Sequence, residues 1–402
     1  MRTNGISKRG REIPESPLRL LISTAQLVEK TGRQVYYLNL GEPDEFPPQS
    51  VSLALADFAS RKIKYGQSSG EPELISAWQK YYNEFGINIS TDEIIVTTGA
   101  SEAILFSLAA VADPGDEVLV FEPFYPNYLS IATLLGLKLR SVSLIRNKES
   151  FSLPPFENLR QQVTDKTRAI IFDNPSNPSG YVYSREELAS LGRLAAENNL
   201  ALIVDEVYRE LVYEGKPTSI LQFPEFKGRV IMLDSVSKRY SLCGCRVGCL
   251  VSRDQEIMTA VRHMCQSRLS APVPSQRAAI SALAYGQDYI KSYVETFRAR
   301  REMVTRAFGD LPGVEYIQPT GAFYAFIKVP KLDNSEKFCR WLVSDFAHQN
   351  QTVVVAPGTG FYLKPEDGRL EFRLAFVLEN DKLNQALTIL REGITQYLKQ
   401  LN

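Results

Sequence analysis

The sequence predicts an α/β protein, with a doubly wound, mostly parallel sheet in a large domain and a smaller α/β domain built from both termini. Two observations carry this. From Glu93 onward, short β-rich runs alternate with helical stretches, and near-continuous apolar strands separated by helices are what a parallel sheet covered on both faces requires. Beyond residue 288, a long helical stretch is followed by strand-like runs at 322–329, 353–356 and 370–376. The expected division is an arm and part of the small domain over residues 1–45, the large domain over 46–287, and the small C-terminal domain over 288–402.

Taken in order, the first forty residues read as an arm and a helix. Ser16-Pro17 stands near the helix start, and Leu20, Leu21, Leu27 and Val28 follow at helical spacing. They lead into Val35-Tyr36-Tyr37-Leu38. The strands of the large domain are then Ile94-Ile95-Val96-Thr97, Val118-Leu119-Val120-Phe121, Ala169-Ile170-Ile171-Phe172, Ala201-Leu202-Ile203-Val204 and Val230-Ile231-Met232-Leu233. Each ends in polar or turn-forming residues: Thr98-Gly99, Glu122-Pro123, Asp173-Asn174-Pro175, Asp205-Glu206 and Asp234-Ser235. In open parallel sheets the ligand crevice lies at the carboxyl ends of the strands, so these tips are the expected site. The helical stretch over 288–308 carries Arg298, Arg300, Arg301 and Arg306, which read as a solvated helix face.

The chain has 402 residues, 44% of them hydrophobic and 23% charged, enough for a large buried core and two lobes. Lys+Arg and Asp+Glu both number 46, so no net field recruits nucleic acid or an anionic membrane, and a small-molecule partner fits better. No apolar run precedes Ile13, and neither a signal peptide nor a spanning helix is expected. Five scattered cysteines do not suit a disulfide framework and point to a reducing compartment, the cytoplasm. Cys243 and Cys245 flank Gly244, but with only His263 and His348 available and no second pair at zinc-site spacing, no metal site is expected.

Lys238 follows the strand 230–233 in Ser235-Val236-Ser237-Lys238. A lysine at a strand tip behind apolar walls can have its pKa lowered enough to form a Schiff base. An imine-forming pyridine cofactor would also need a carboxylate to keep its ring nitrogen protonated. Asp205 is placed for that, though standing alone it reads first as a helix N-cap. A phosphate needs backbone N–H groups at a helix N-terminus, which Thr98-Gly99-Ala100-Ser101 ahead of 102–112 supplies. Ser235 and Arg246 stand on either side of Lys238 and could add a hydroxyl and a guanidinium to the same anion. In Asn174-Pro175-Ser176-Asn177-Pro178-Ser179-Gly180, turn chemistry alone is one reading. The other has the Asn177 amide donating to a phenolate oxygen on the cofactor ring.

These residues together resemble a known family, the class I aminotransferases among the fold-type I pyridoxal-phosphate enzymes. The resemblance runs over residues 38–376, in the family's order and spacing. Its most specific part is Ser235-Val236-Ser237-Lys238 followed by Gly244-Cys245-Arg246-Val247-Gly248, with Asn177-Pro178-Ser179-Gly180 and Asp205-Glu206-Val207-Tyr208 close behind. The resemblance implies pyridoxal 5'-phosphate bound as a Schiff base to Lys238, Asp205 pairing with the pyridine nitrogen, and Asn177 and Tyr208 at the phenolate oxygen. Tyr125, in Glu122-Pro123-Phe124-Tyr125-Pro126, matches the ring that stacks on the cofactor. Ala100, Ser101, Ser235 and Arg246 match the phosphate cup. Tyr65, in Lys64-Tyr65-Gly66, resembles the tyrosine that reaches a neighbouring subunit's phosphate, so a homodimer with shared sites is implied. Arg373 and the Gly41 backbone N–H resemble the clamp on the substrate α-carboxylate, with Asn177 beside them.

The implied activity is transfer of an amino group from an L-amino acid to a 2-oxo acid by a ping-pong mechanism, with Lys238 as both anchor and general base. A carbon-sulfur β-lyase using the same lysine and aspartate is the alternative. A cofactor-binding regulator is disfavoured, because the motifs begin by Gly41 and leave no room ahead for a basic helix-turn-helix domain. Side-chain specificity stays open: Gln266 falls near the position where dicarboxylate-specific relatives place an arginine, with Arg268 close by.

Overall fold

The structure is a computed structural model and describes residues 5–60 and 62–401. Residues 1–4 of the expected arm and residue 402 of the expected C-terminal domain lie outside the described residues. The central sheet has seven strands: β1 (Ile94–Thr97), β2 (Glu117–Glu122), β3 (Lys138–Ser143), β4 (Thr167–Asp173), β5 (Ala201–Asp205), β6 (Val230–Ser235) and β7 (Gly248–Ser252). Their order across the sheet is β1-β7-β6-β5-β4-β2-β3. Neighbours run parallel except that β7 lies antiparallel to both β1 and β6.

The apolar runs exist because both faces of this sheet are covered. Side chains alternate along a strand, and here each alternate set enters a different core. Ile170, Phe172, Leu202, Val204 and Met232 join the cluster built on Trp78 and Leu188. Ile171, Ile203, Ile231 and Leu233 join the opposite cluster with Ile104 and Met258. Polar residues are thereby excluded from the strand interiors and concentrated at the tips. Two strands escaped the sequence reading. β3 is half-buried and polar at Lys138, Arg140, Ser141 and Ser143, and β7 begins inside the Gly-Cys-Arg-Val-Gly motif.

A third core joins the two ends of the chain: Leu21, Val35 and Leu38 pack with Phe297, Phe338, Val353, Leu374 and Leu390. The strand Gln34–Tyr37 pairs in parallel with Gln351–Val354. Tyr324–Lys328, Glu371–Ala375 and Ala356–Pro357 form a separate antiparallel sheet. The first long helix of this region starts at Ile22 rather than near Ser16, because residues 17–21 turn instead, with Ile22 N–H bonding to Arg19 O. Among the described residues no helix is long and apolar enough to cross a membrane.

The basic helix Gln287–Phe308 corrects one expectation. Arg300 and Arg301 are buried, not solvated. Arg300 bonds Asp44 Oδ1 (2.9 Å), Glu45 Oε1 (2.6 Å) and Val377 O (2.8 Å), and Arg301 pairs with Glu214 and Glu302. A buried guanidinium has to be matched by carboxylates, and the match here fastens the segment after Gly41 to the long helix.

Candidate active site

The carboxyl ends of β4, β5 and β6 open into a cavity of about 600 Å³, roofed by residues of the N-terminal arm. Lys238 lies in a single helical turn, Val236–Arg239, entered straight from β6. Its backbone is fixed from both sides. Tyr293 Oη donates to Lys238 O (2.6 Å), while the next residue, Arg239, is buried and paired with Glu210 (3.0 Å) and Asp234. Lys238 Nζ donates to Gly41 O at 2.7 Å and lies 3.7 Å from Cys243 Sγ.

The lowered lysine pKa expected from apolar walls does not hold. Burial pushes the Lys238 pKa down, but Tyr324, Cys243 and Tyr125 favour the ammonium, and the balance leaves it above the ordinary value. Phenols and a thiol stand close to the amine alongside the aliphatic residues of the wall.

Asp205 ends β5, buried to 3% exposure, and accepts from Val207 N–H (3.2 Å). Burial pushes its carboxyl up to about 7, with Asp234 and Glu206 adding to the shift and Lys238 opposing it. Asp173, directly across from it in the β4–β5 register, was not singled out by sequence. Burial raises its carboxyl well above the usual range, and its Oδ2 accepts from Asn177 N–H at 2.7 Å, which fixes the Asn-Pro-Ser turn. The Asp-Asn-Pro strand ending was the available signal.

Asn177 Oδ1 accepts from Arg373 Nη1 at 2.7 Å, leaving the Asn177 amide N–H₂ as the donor group. Tyr208 Oη and Tyr324 Oη are 2.7 Å apart. Tyr324 occupies the space against Gly41 where a Cβ would sit, so only glycine fits there. The Gly41 atom engaged in the structure is its carbonyl, holding Lys238, while the resemblance implied its N–H. Tyr125 lines the cavity and packs edge-on against Tyr128 (5.6 Å).

Arg373 stands in the middle of Glu371–Ala375 and is fully buried. Its guanidinium holds Asn177 Oδ1 and Asn39 O and lies 4.3 Å from the Tyr324 ring centre. Among the described residues no carboxylate pairs with it, Nε has no partner, and burial lowers its pKa. A buried cation without an anion is costly unless a ligand supplies one.

At the opposite side of the cavity the helix Gly99–Val111 begins with no side-chain cap, so its first N–H groups are open to an anion. Gly99 takes φ 73°, and a Cβ there would meet Arg246 Nη2 at 2.7 Å. Arg246 therefore lies over the helix start, beside Ala100 and Ser101 on the cavity wall. Ser235 is on the same wall; its hydroxyl donates to Val247 O (2.7 Å) and caps the Lys238 turn by accepting from Ser237 N–H (3.1 Å). Ser237, which sequence reasoning passed over, adds a second hydroxyl 2.8 Å away on the same wall.

Besides Arg373, which is fully buried and meets the cavity wall only through Asn177 and Tyr324, three further named residues are not on the wall. Tyr65 is 84% exposed on the surface. Arg268 is used internally, bonding Glu102 (3.0 Å), Thr98 Oγ1 (3.2 Å) and Ser68 O (2.9 Å), and Gln266 is exposed away from the wall. All five cysteines are free, and among the described residues no cluster suits a metal ion.

The arrangement meets each need of pyridoxal phosphate: an amine at the cavity centre, a buried carboxyl, an amide donor, an aromatic wall, and an uncapped helix start under a guanidinium. Comparison with known proteins agrees. The family described as aminotransferase class I and II matches residues 33–389. Aspartate aminotransferase of Thermotoga maritima is 35% identical over 95% of this chain and 97% of its own length. Asparagine–oxo-acid transaminase of Streptococcus mutans is 30% identical over 94% and 98%. Among solved structures, alanine aminotransferase from Pyrococcus furiosus superposes with a TM-score of 0.87 at 29% identity, covering 97% of this chain and all of that one. The chain therefore belongs to the class I and II aminotransferases, and it is a pyridoxal-phosphate-dependent enzyme that moves an amino group between an amino acid and a 2-oxo acid.

Proposed function

We propose that this chain runs its exchange through one cavity, by a ping-pong cycle in which Lys238 is both the covalent anchor of the cofactor and the proton carrier. The observation that carries this reading is that Arg373, a buried guanidinium with no carboxylate partner among the described residues, holds Asn177 and lies against Tyr324, both on the wall of the cavity that contains Lys238. When bound, pyridoxal phosphate supplies an electron sink for the substrate's α-carbon. Arg373 takes the α-carboxylate, backed by Asn177, which fixes the α-carbon relative to Lys238. Lys238 Nζ, as a free amine, would take the α-proton and later return it. Asp205 would pair with the pyridine nitrogen, Tyr208 and Asn177 would hold the phenolate oxygen, and Tyr125 would lie against the ring. Ala100, Ser101, Ser235, Ser237 and Arg246 would hold the phosphate, with Ser235 also keeping the lysine turn in place.

Single-turnover mixing with amino acids, without any 2-oxo acid, tests this. A stable, stoichiometric change of the bound cofactor's absorbance, reversed by adding a 2-oxo acid, is expected. Catalytic release of ammonia and pyruvate without that change would favour the lyase.

The division into a large domain over 46–287 and a small one made from 1–45 and 288–402 follows the separation of the sheet cores from the core shared by both ends. A homodimer belongs to the same reading. Gly66 N–H donates to Ser270 Oγ (3.3 Å), which brings exposed Tyr65 and Leu269 to one face, where a second copy would cover them and receive the Tyr65 hydroxyl at its phosphate site. Five free cysteines support the cytoplasm as the compartment.

A further inference from the structure

Three of the cofactor residues are followed in the chain by charged residues that do not reach the cavity. Asp205 is followed by Glu206, Tyr208 by Arg209 and Glu210, and Lys238 by Arg239. All four are buried, and none is among the described residues of the cavity wall. They meet instead in one network with Asp234 and Tyr81. Arg239 pairs with Glu210 Oε2 (3.0 Å) and with Asp234. Tyr81 Oη donates to Glu210 Oε2 (2.7 Å) and accepts from both Arg209 Nη2 and Arg239 Nη1. Arg209 Nε lies 3.6 Å from Glu206 Oε2, and Glu206 Oε1 accepts from Ile220 N–H (2.8 Å).

The elements that carry the amine and the phenol are too short to hold themselves. Lys238 lies in the single helical turn Val236–Arg239. Tyr208 lies in an irregular turn over 207–210, closed by Arg209 N–H to Glu206 O (2.9 Å) and Leu211 N–H to Tyr208 O (2.7 Å). One turn gains too few backbone bonds to offset the entropy of fixing it. Its place is therefore decided by the side chains anchored behind it. The Arg239–Glu210 pair is a direct link between the two turns, and Tyr81, from the helix Pro72–Asn83, closes over it. A buried ion pair keeps its geometry, because separating the partners leaves each charge uncompensated.

We propose that Arg239 and Glu210 are positioning residues for the reaction: their buried pair, closed by Asp234 and Tyr81, sets the Lys238 amine relative to the Tyr208 hydroxyl and so the rate at which the amine moves the α-proton. This rests on the reading of Lys238 and Tyr208 above. Both residues act through their neighbours, and proton transfer is sensitive to small displacements of the group that carries it. A displaced Tyr208 would also withdraw its hydrogen bond from the phenolate oxygen. More negative charge would then remain beside the Schiff-base proton, which would be lost at higher pH.

The test uses the cofactor-loaded enzyme and its Glu210→Gln, Arg239→Met and Arg239→Lys variants, with whichever of aspartate and alanine the parent converts faster, carrying protium or deuterium at the α-carbon. Single-turnover rate, KM and the pH midpoint of the bound cofactor's absorbance are measured. The rate should fall about 100-fold in Arg239→Met and about 10-fold in Glu210→Gln, with an enlarged isotope effect, and Arg239→Lys should recover much of the loss. KM should stay within about threefold, because the Arg373 clamp is untouched. The absorbance midpoint should rise by about one pH unit in Arg239→Met and Glu210→Gln. A parent-like rate and midpoint in folded Glu210→Gln, or losses confined to KM, would overturn the proposal. If Arg239→Met does not fold, Glu210→Gln decides, since it keeps the side chain's shape. A parent enzyme with no titrating Schiff-base absorbance would instead bring down the reading of Lys238 on which the proposal rests.

Discussion

Arg373 Nη1 donates to Asn177 Oδ1 at 2.7 Å, across the boundary between the small sheet and the turn that closes β4. This bond orients two groups together. It ties the guanidinium to a residue of the cavity wall and leaves the Asn177 amide N–H₂ as the donor group.

The first prediction concerns that guanidinium. Arg373→Lys removes the planar fork and its second bond, so kcat/KM for amino acids should fall by about 100- to 10,000-fold, two charge-assisted hydrogen bonds at about 1.5–3 kcal/mol each with partial replacement by the ammonium. Cofactor affinity should change far less. Steady-state kinetics together with cofactor titration checks this, and equal losses in both would contradict the assignment. Because the cation is buried without a carboxylate, Arg373→Met should leave the cofactor-free protein as stable or more stable, read as Tm.

Asp205 gives a pH-dependent outcome. Its folded carboxyl is pushed up to about 7 by burial, against an ordinary 3.8. Below about 4 the group is protonated in both folded and unfolded chains and has no effect. Between about 4 and 7 the folded chain holds one proton more, so its stability falls as pH rises, and the loss is complete above the folded pKa. Asp205→Asn removes that loss. In the cofactor-free protein its stability gain over the parent should grow from pH 4 to pH 7, then level off at about 1–4 kcal/mol. Urea unfolding across that range measures it. A gain that shrinks with rising pH would contradict the burial argument.

Lys238 carries a raised pKa before the cofactor arrives. Only the free amine attacks a carbonyl, so the rate of covalent cofactor capture by the cofactor-free protein should climb steeply from pH 6 to pH 9. Stopped-flow absorbance after mixing with pyridoxal phosphate follows it. A rate that is flat above pH 7 would mean a lowered lysine pKa.

What the sequence made legible follows from what the fold imposes locally. The strands of the sheet were readable because both faces are covered, which forces runs such as Ala169 to Phe172 and Ala201 to Val204 to be apolar throughout. The tips were readable because polar residues are confined to them. β3 escaped because its edge position spares it from burial, and β7 because its sequence doubles as a motif. The supports behind the site were not legible. Arg239 meets Glu210 only through a pairing distant in sequence, as Arg300 meets Asp44 and Glu45. The engagement of Ser235 with Val247, and the raised rather than lowered lysine pKa, depend on neighbours that no local pattern names.

The central claim is that Lys238 carries the cofactor. Borohydride reduction of the loaded enzyme, followed by proteolysis and peptide mass spectrometry, tests it most directly. The reduced cofactor should appear on the peptide containing Lys238 at close to one per chain, and Lys238→Ala should carry none. The cofactor's mass on a different lysine, or its retention at the same stoichiometry in Lys238→Ala, would contradict the account.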